Sequence, residues 1–124
     1  MEFRERRSIY MQIADWICEN ILRGTWKEQD RIPSIREMAM DTQVNPNTVL
    51  RTYTTLQENG IIHNQRGLGY FVSPGATEKT RSMMREQFIR NELPDLFRKL
   101  DLLGISLKDL EALRERAAAQ GGAR

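Results

Sequence analysis

Two helix-start signals lie close together in this chain, and they restrict its fold more than any other feature. Ser34-Ile35-Arg36-Glu37 is a capping box. The serine hydroxyl can accept from the amide three residues on, while the glutamate carboxylate reaches back to the serine amide. Asn45-Pro46 opens a second helix. Asn45 serves as cap, and Pro46 takes the first helical position, where a missing N–H is no loss. Only a short helix fits between the two signals, from Ile35 to about Asp41 or Thr42, followed by the tight connection Thr42-Gln43-Val44. The second helix runs to Asn59-Gly60, a pair able to supply the left-handed residue of a helix end. Val49, Tyr53 and Leu56 recur on one face of it and turn inward, whereas Asn47, Thr48 and Arg51 stand on another. Two short helices joined by a tight turn, the second with a hydrogen-bonding face near its N-terminus, make a helix-turn-helix pattern. Such a face suits entry into a DNA major groove; taken alone it also suits an ordinary solvated helix.

The flanking sequence extends this unit in both directions. Ile9, Ile13, Ile17 and Ile21 repeat every four residues, with Tyr10, Ala14 and Trp16 beside them. They predict an amphipathic helix from about Ser8 to Arg23, closed at Gly24, with its apolar residues in the core. Gly24 to Asp30 reads as a loop that tucks Trp26 under the fold, and Arg31-Ile32-Pro33 as a very short extended piece. Beyond Gly60, Ile61-Ile62-His63-Asn64 and Tyr70-Phe71-Val72 flank Gln65-Arg66-Gly67-Leu68-Gly69, a β-hairpin with an arginine at its tip. Read alone, it is a plain hairpin with a solvated Arg66. Directly after a helix-turn-helix it becomes a wing, whose tip can meet a phosphate or a minor groove. His63, on a strand beside Ile62, reads as a structural residue or a backbone contact rather than a catalytic one.

Ser73-Pro74-Gly75 breaks the chain. The pattern then predicts helix from Glu78 to about Leu103, interrupted near Pro94, with Met84, Phe88, Leu96, Leu100 and Leu103 near one stripe. A second capping box, Ser106-Leu107-Lys108-Asp109, opens a last helix bearing Leu107, Leu110 and Leu113, and Ala117 to Arg124 is expected to fray. A tail this short cannot enclose a core of its own, so its apolar stripe needs the winged unit or a second copy. The expected fold class is mainly α with a small β-hairpin. A winged helix-turn-helix occupies residues 8–75, and a C-terminal helical dimerisation region occupies residues 76–119.

Composition narrows the function classes. With 124 residues, 40% hydrophobic and 29% charged, the chain is globular rather than disordered. It has no apolar run long enough to span a membrane and no apolar segment behind its charged N-terminus, so neither a membrane partner nor a secretory signal is expected. Cys18 is the only cysteine and His63 the only histidine. No internal disulfide, metal set, nucleophile–base pair or phosphate loop is discernible, which argues against an enzyme and against any cofactor. A lone cysteine of this kind suits a reducing cytoplasm. The net charge of +2 permits nucleic-acid binding without demanding it, and residues 1–75 carry equal numbers of basic and acidic side chains. Arg4, Arg6 and Arg7 form an N-terminal arm that either reaches phosphates or merely solubilises the chain.

Four segments carry a family resemblance: Ile32-Pro33-Ser34-Ile35-Arg36-Glu37-Met38-Ala39, Asn47-Thr48-Val49, Leu56-Gln57-Glu58-Asn59-Gly60-Ile61-Ile62, and Arg66-Gly67-Leu68-Gly69-Tyr70-Phe71-Val72. In this order and spacing they resemble the winged-helix DNA-binding domain of the GntR family of bacterial transcription regulators. Asn45-Pro46-Asn47-Thr48-Val49 and the short helical tail resemble its YtrA-like short subfamily. The resemblance implies double-stranded DNA as partner, contacted by Arg36, Asn45, Pro46, Asn47, Thr48, Arg51, Arg66 and Gly67. Asn47 and Arg51 would meet base edges, and Arg36 and Arg66 the backbone or minor groove. Pro46 and Leu50 stand where the broad family commonly has arginine, so base contacts of larger relatives do not transfer to them. The resemblance further implies a cytoplasmic homodimer joined through its C-terminal helices. It would be a repressor of a palindromic operator, with its own operon and a linked ABC transporter as targets. No small-molecule effector is identifiable. The near-neutral reader leaves one rival, a winged helix that binds protein or RNA; steep salt dependence would mark the DNA reader.

Overall fold

The structure is a computed structural model that describes residues 8–121, so the arm bearing Arg4, Arg6 and Arg7 lies outside the described residues. Helix α1 spans Ile9–Arg23, β1 Arg31–Ile32, α2 Ile35–Thr42, α3 Pro46–Glu58, β2 Ile62–Gln65 and β3 Gly69–Val72. Helix α4 follows over Ala76–Gln87, then a π-helical turn at Phe88–Glu92, α5 over Leu93–Leu103 and α6 over Leu107–Gly121. The chain forms two compact units, one ending at Met83 and the other beginning at Met84.

In the first unit, α3 packs against α1, α2 and β2. The fourfold isoleucine repeat supplies Ile13, Ile17 and Ile21 from α1, which meet Met38 and Ala39 of α2 and Val49, Tyr53 and Leu56 of α3 in a closed core. Not every apolar residue of α1 joins it. Trp16 is 46% and Ile9 50% exposed, against the expectation that all were core. Trp16 projects to the flank of the stripe, where Trp26 covers it edge-on at 5.5 Å. The three strands form an antiparallel sheet in the order β1-β3-β2, with Ile62 opposite Val72, Gln65 opposite Gly69 and Arg31 opposite Phe71. Two residues of strand before Pro33 are thus enough to give the wing a third strand. His63 is bonded within the hairpin: its Nε2 lies 3.0 Å from the Gln65 side-chain amide nitrogen and its Nδ1 3.0 Å from Ser73 Oγ, and the ring stacks on Phe71.

In the second unit, Pro94 does interrupt the helix, and its form is specific. Proline lacks an N–H and crowds the carbonyl four residues back. The preceding turn widens, and the Leu93 amide donates to Phe88 O, five residues away, as in a π-helix. The second capping box forms as expected: the Asp109 amide donates to Ser106 Oγ at 3.0 Å, and the Ser106 amide to Asp109 Oδ2 at 3.1 Å. The fraying expected from Ala117 does not occur within the described residues. Helix α6 continues to Gly121, because alanines in the last turns favour helix over coil. Of the anticipated stripe only Leu100 is buried. No described helix is long and apolar enough to cross a membrane.

Candidate nucleic-acid interface

Two helix caps, a turn and a hairpin tip set the exposed surface of the first unit. At the start of α2 the Glu37 amide donates to Ser34 Oγ at 3.0 Å and the Ser34 amide to Glu37 Oε1 at 2.8 Å, completing the box. Hydrogen bonding to Ser34 holds the Glu37 carboxyl below its usual range. Arg36 projects from this first turn into solvent, and among the described residues no acid pairs with it. The α2–α3 turn is closed by Gln43 in the left-handed conformation, φ 55°, while the Val44 amide bonds back to Ala39 O at 3.1 Å.

At the start of α3 the Asn45 side chain accepts from the Asn47 amide at 2.8 Å, so its oxygen is committed to the cap. Pro46, Asn47, Leu50, Arg51 and Thr54 are exposed, whereas Thr48 is half-buried. Asn47, Leu50, Arg51 and Thr54 follow the helical repeat and share one face. Thr52 and Tyr53 anchor the opposite face. Tyr53, fully buried, donates to Pro33 O at 2.6 Å and meets Tyr70 edge-on at 4.9 Å, tying α3 both to the start of α2 and to the wing. Burial raises the Tyr53 phenol well above its ordinary value, so it stays a donor.

The wing tip carries Arg66 and Gly67, both exposed. Gly67 has φ 80° with open space where a side chain would sit, and Gly69 has φ 119°. A Cβ on Gly69 would lie 2.9 Å from Arg31 Nε, and that nitrogen donates to Leu68 O at 3.1 Å. Arg31 thus braces the tip from below, a role sequence reading did not find. Nor did it single out Tyr10, which it placed with the core of α1. The Arg51 guanidinium lies 3.9 Å from the centroid of the Tyr10 ring. No sequence signal marks this pair, because the partners stand on different helices.

The site residues anticipated from sequence therefore fall on one compact unit. Arg36 starts α2, residues 45–51 start α3, and Arg66-Gly67 caps the hairpin. The family model for bacterial regulatory proteins of the gntR family matches residues 9–72, spanning α1 through β3.

The chain belongs to the GntR family.

It is a helix-turn-helix transcriptional regulator that binds DNA. The HTH-type transcriptional repressor YtrA of Bacillus subtilis is 35% identical over 121 residues, covering 96% of this chain and 92% of that protein. A GntR-family protein of solved structure from Bacteroides thetaiotaomicron superposes with TM-score 0.72 at 43% identity, covering 93% of this chain and 100% of the other. The DNA-binding domain of AraR, solved in complex with operator ORR3, superposes with TM-score 0.54 at 25% identity, covering 59% of this chain and 86% of that one. These relatives are regulators rather than enzymes.

Proposed function

We propose that this GntR-family regulator is a homodimeric repressor. It reads a palindromic operator with the first two turns of α3 and touches the flanking backbone through Arg36 and the wing tip. The observation that carries this is the exposed face bearing Asn47 and Arg51, on a helix whose other face is fixed in the core by Val49, Thr52 and Tyr53. Asparagine can pair bidentately with adenine and arginine with guanine, each contact worth about 1–3 kcal/mol of discrimination. Asn45 holds the first turn rigid through its cap, and Pro46 and Thr48 shape the surface presented to the groove. Arg36 stands at the positive end of α2, suited to a phosphate. Arg66 and Gly67 suit a backbone or minor-groove contact, since a tip without a side chain at Gly67 can approach closely.

The repressor assignment is supported by the relative that bears that name. The homodimer is supported by apolar side chains exposed in the second unit, among them Phe97 at 46% and Leu103 at 72%. Two readers related by a two-fold axis would meet half-sites about 34–36 Å apart. By resemblance to the YtrA-like subfamily, the targets are the chain's own operon and a linked ABC transporter.

Binding of the protein to its own upstream DNA, measured by anisotropy at two salt concentrations beside Arg51→Ala, tests the reading. Tight, salt-sensitive binding over a scrambled duplex, weaker and less selective in the variant, is expected. Equal, weak binding of both proteins to every duplex would remove the assignment of that DNA as operator. A footprint without two-fold symmetry would remove the palindrome.

A further inference from the structure

We propose that Tyr10 is a positioning residue for DNA reading: its ring holds the Arg51 guanidinium ready to meet a base edge. The inference rests on the base-reading role given to Arg51 above. Three features carry it. The guanidinium carbon sits over the ring, 3.9 Å from its centroid, within cation–π range. Arginine carries five N–H donors, more than contact with one ring can occupy, so donors remain for a bidentate pair.

The backbone that carries the ring is tied to the recognition helix. The Tyr10 backbone carbonyl accepts from Thr52 Oγ1 at 2.9 Å, and Thr52, next to Arg51 on α3, is fully buried. Arginine and tyrosine are thus held against the same turn. Finally, no acid among the described residues pairs with Arg51, so no described carboxylate consumes its donors. Arginine is long and rotamer-rich; a side chain ordered before binding loses less entropy on meeting DNA. Tyr10 acts by holding Arg51, without a base contact of its own.

The test uses the full chain and the tightest duplex that the wild-type protein enriches from a randomised pool, with single-base-pair variants of it. Tyr10→Leu removes the ring and keeps apolar bulk; Tyr10→Phe keeps the ring. Tyr10→Met replaces the leucine variant if that one melts below the assay temperature. Arg51→Ala first identifies the base pair whose replacement it no longer senses. Tyr10→Leu is then expected to bind about two- to five-fold more weakly, the size of an exposed cation–π contact. The loss should fall mainly on discrimination at that base pair.

The salt slope should stay unchanged, because no phosphate contact is removed. Tyr10→Phe should bind as wild type, and adding Tyr10→Leu to Arg51→Ala should weaken binding no further. Full discrimination at that base pair in Tyr10→Leu would overturn the positioning role and leave Arg51 as reader. Uniform weakening on every duplex with a shallower salt slope would make Tyr10 a phosphate contact instead, again overturning it. Unaltered discrimination at every base pair in Arg51→Ala would overturn the base-reading role, and this proposal with it.

Discussion

Cys18 sits within α1 at 2% exposure, and its thiol is pushed up to about 12 by burial first, then by Asp15 and Glu19. The folded protein therefore keeps a proton that the unfolded chain releases near the ordinary thiol value of 9.0. This contribution to stability is fully present below that value and is lost as pH rises toward about 12. Urea unfolding between neutral and strongly alkaline pH should show stability falling by up to about 1.4 kcal/mol per pH unit from this group. Cys18→Ala should start less stable at neutral pH and lose less across the alkaline window; an equal alkaline loss in both proteins would show that the thiol is not the group responsible. Sequence alone placed Tyr53 inward, because helical periodicity reports which face is covered. It could not name the acceptor of the Tyr53 hydroxyl, the brace from Arg31 to Leu68 O, or the ring under Arg51. Polar partners of that kind belong to tertiary structure, and their spacing along the chain is arbitrary.

At the level of elements, boundaries were legible wherever a local chemical signal sets them. Ser34 with Glu37, Ser106 with Asp109, Asn45 with Pro46, and Gly24 each stand where the chain starts or stops a helix. The α2–α3 turn was legible only by elimination, since its left-handed residue is Gln43 rather than glycine. Its Cβ opposes that conformation, yet the Val44 amide bond to Ala39 O requires it. Gln43→Gly should therefore stabilise the first unit by about 0.5–1 kcal/mol, the relief of strain being partly offset by glycine's greater freedom when unfolded. A higher urea midpoint at unchanged slope would show it. An unchanged or lower midpoint would mean that the glutamine side chain holds the turn through its own contacts. The π-helical turn before Pro94 was legible as an interruption but not in form, because proline dictates which bond is lost and not how the neighbouring carbonyls find new donors.

For the whole molecule, the question is what covers the second unit. Leu102, Leu103 and Leu107 are 71%, 72% and 69% exposed, and α6 buries no residue within the described chain. Burying such side chains yields about 25 cal/mol per Å² of apolar surface, so three leucines left in water are a substantial driving force toward a second copy. Their exposure also makes the proposed homodimer separable from misfolding: a glutamate at a position already in water should leave the single chain's fold intact. Leu103→Glu combined with Leu107→Glu should sediment at the chain mass of 14.5 kDa, with the wild type at twice that value. The wild-type melting temperature should rise with protein concentration, and that of the variant should not. On a palindromic duplex the variant should fall to the affinity of a single half-site, because linking two readers raises overall binding by about 10²–10⁴-fold without any new contact to DNA. A wild-type protein that sediments as a monomer at all concentrations would sink the homodimer, and an unchanged mass in the double variant would move its interface away from these leucines. Loss of dimer mass with undiminished binding to the palindrome would separate the two claims, leaving the interface in place and showing that DNA reading does not depend on it.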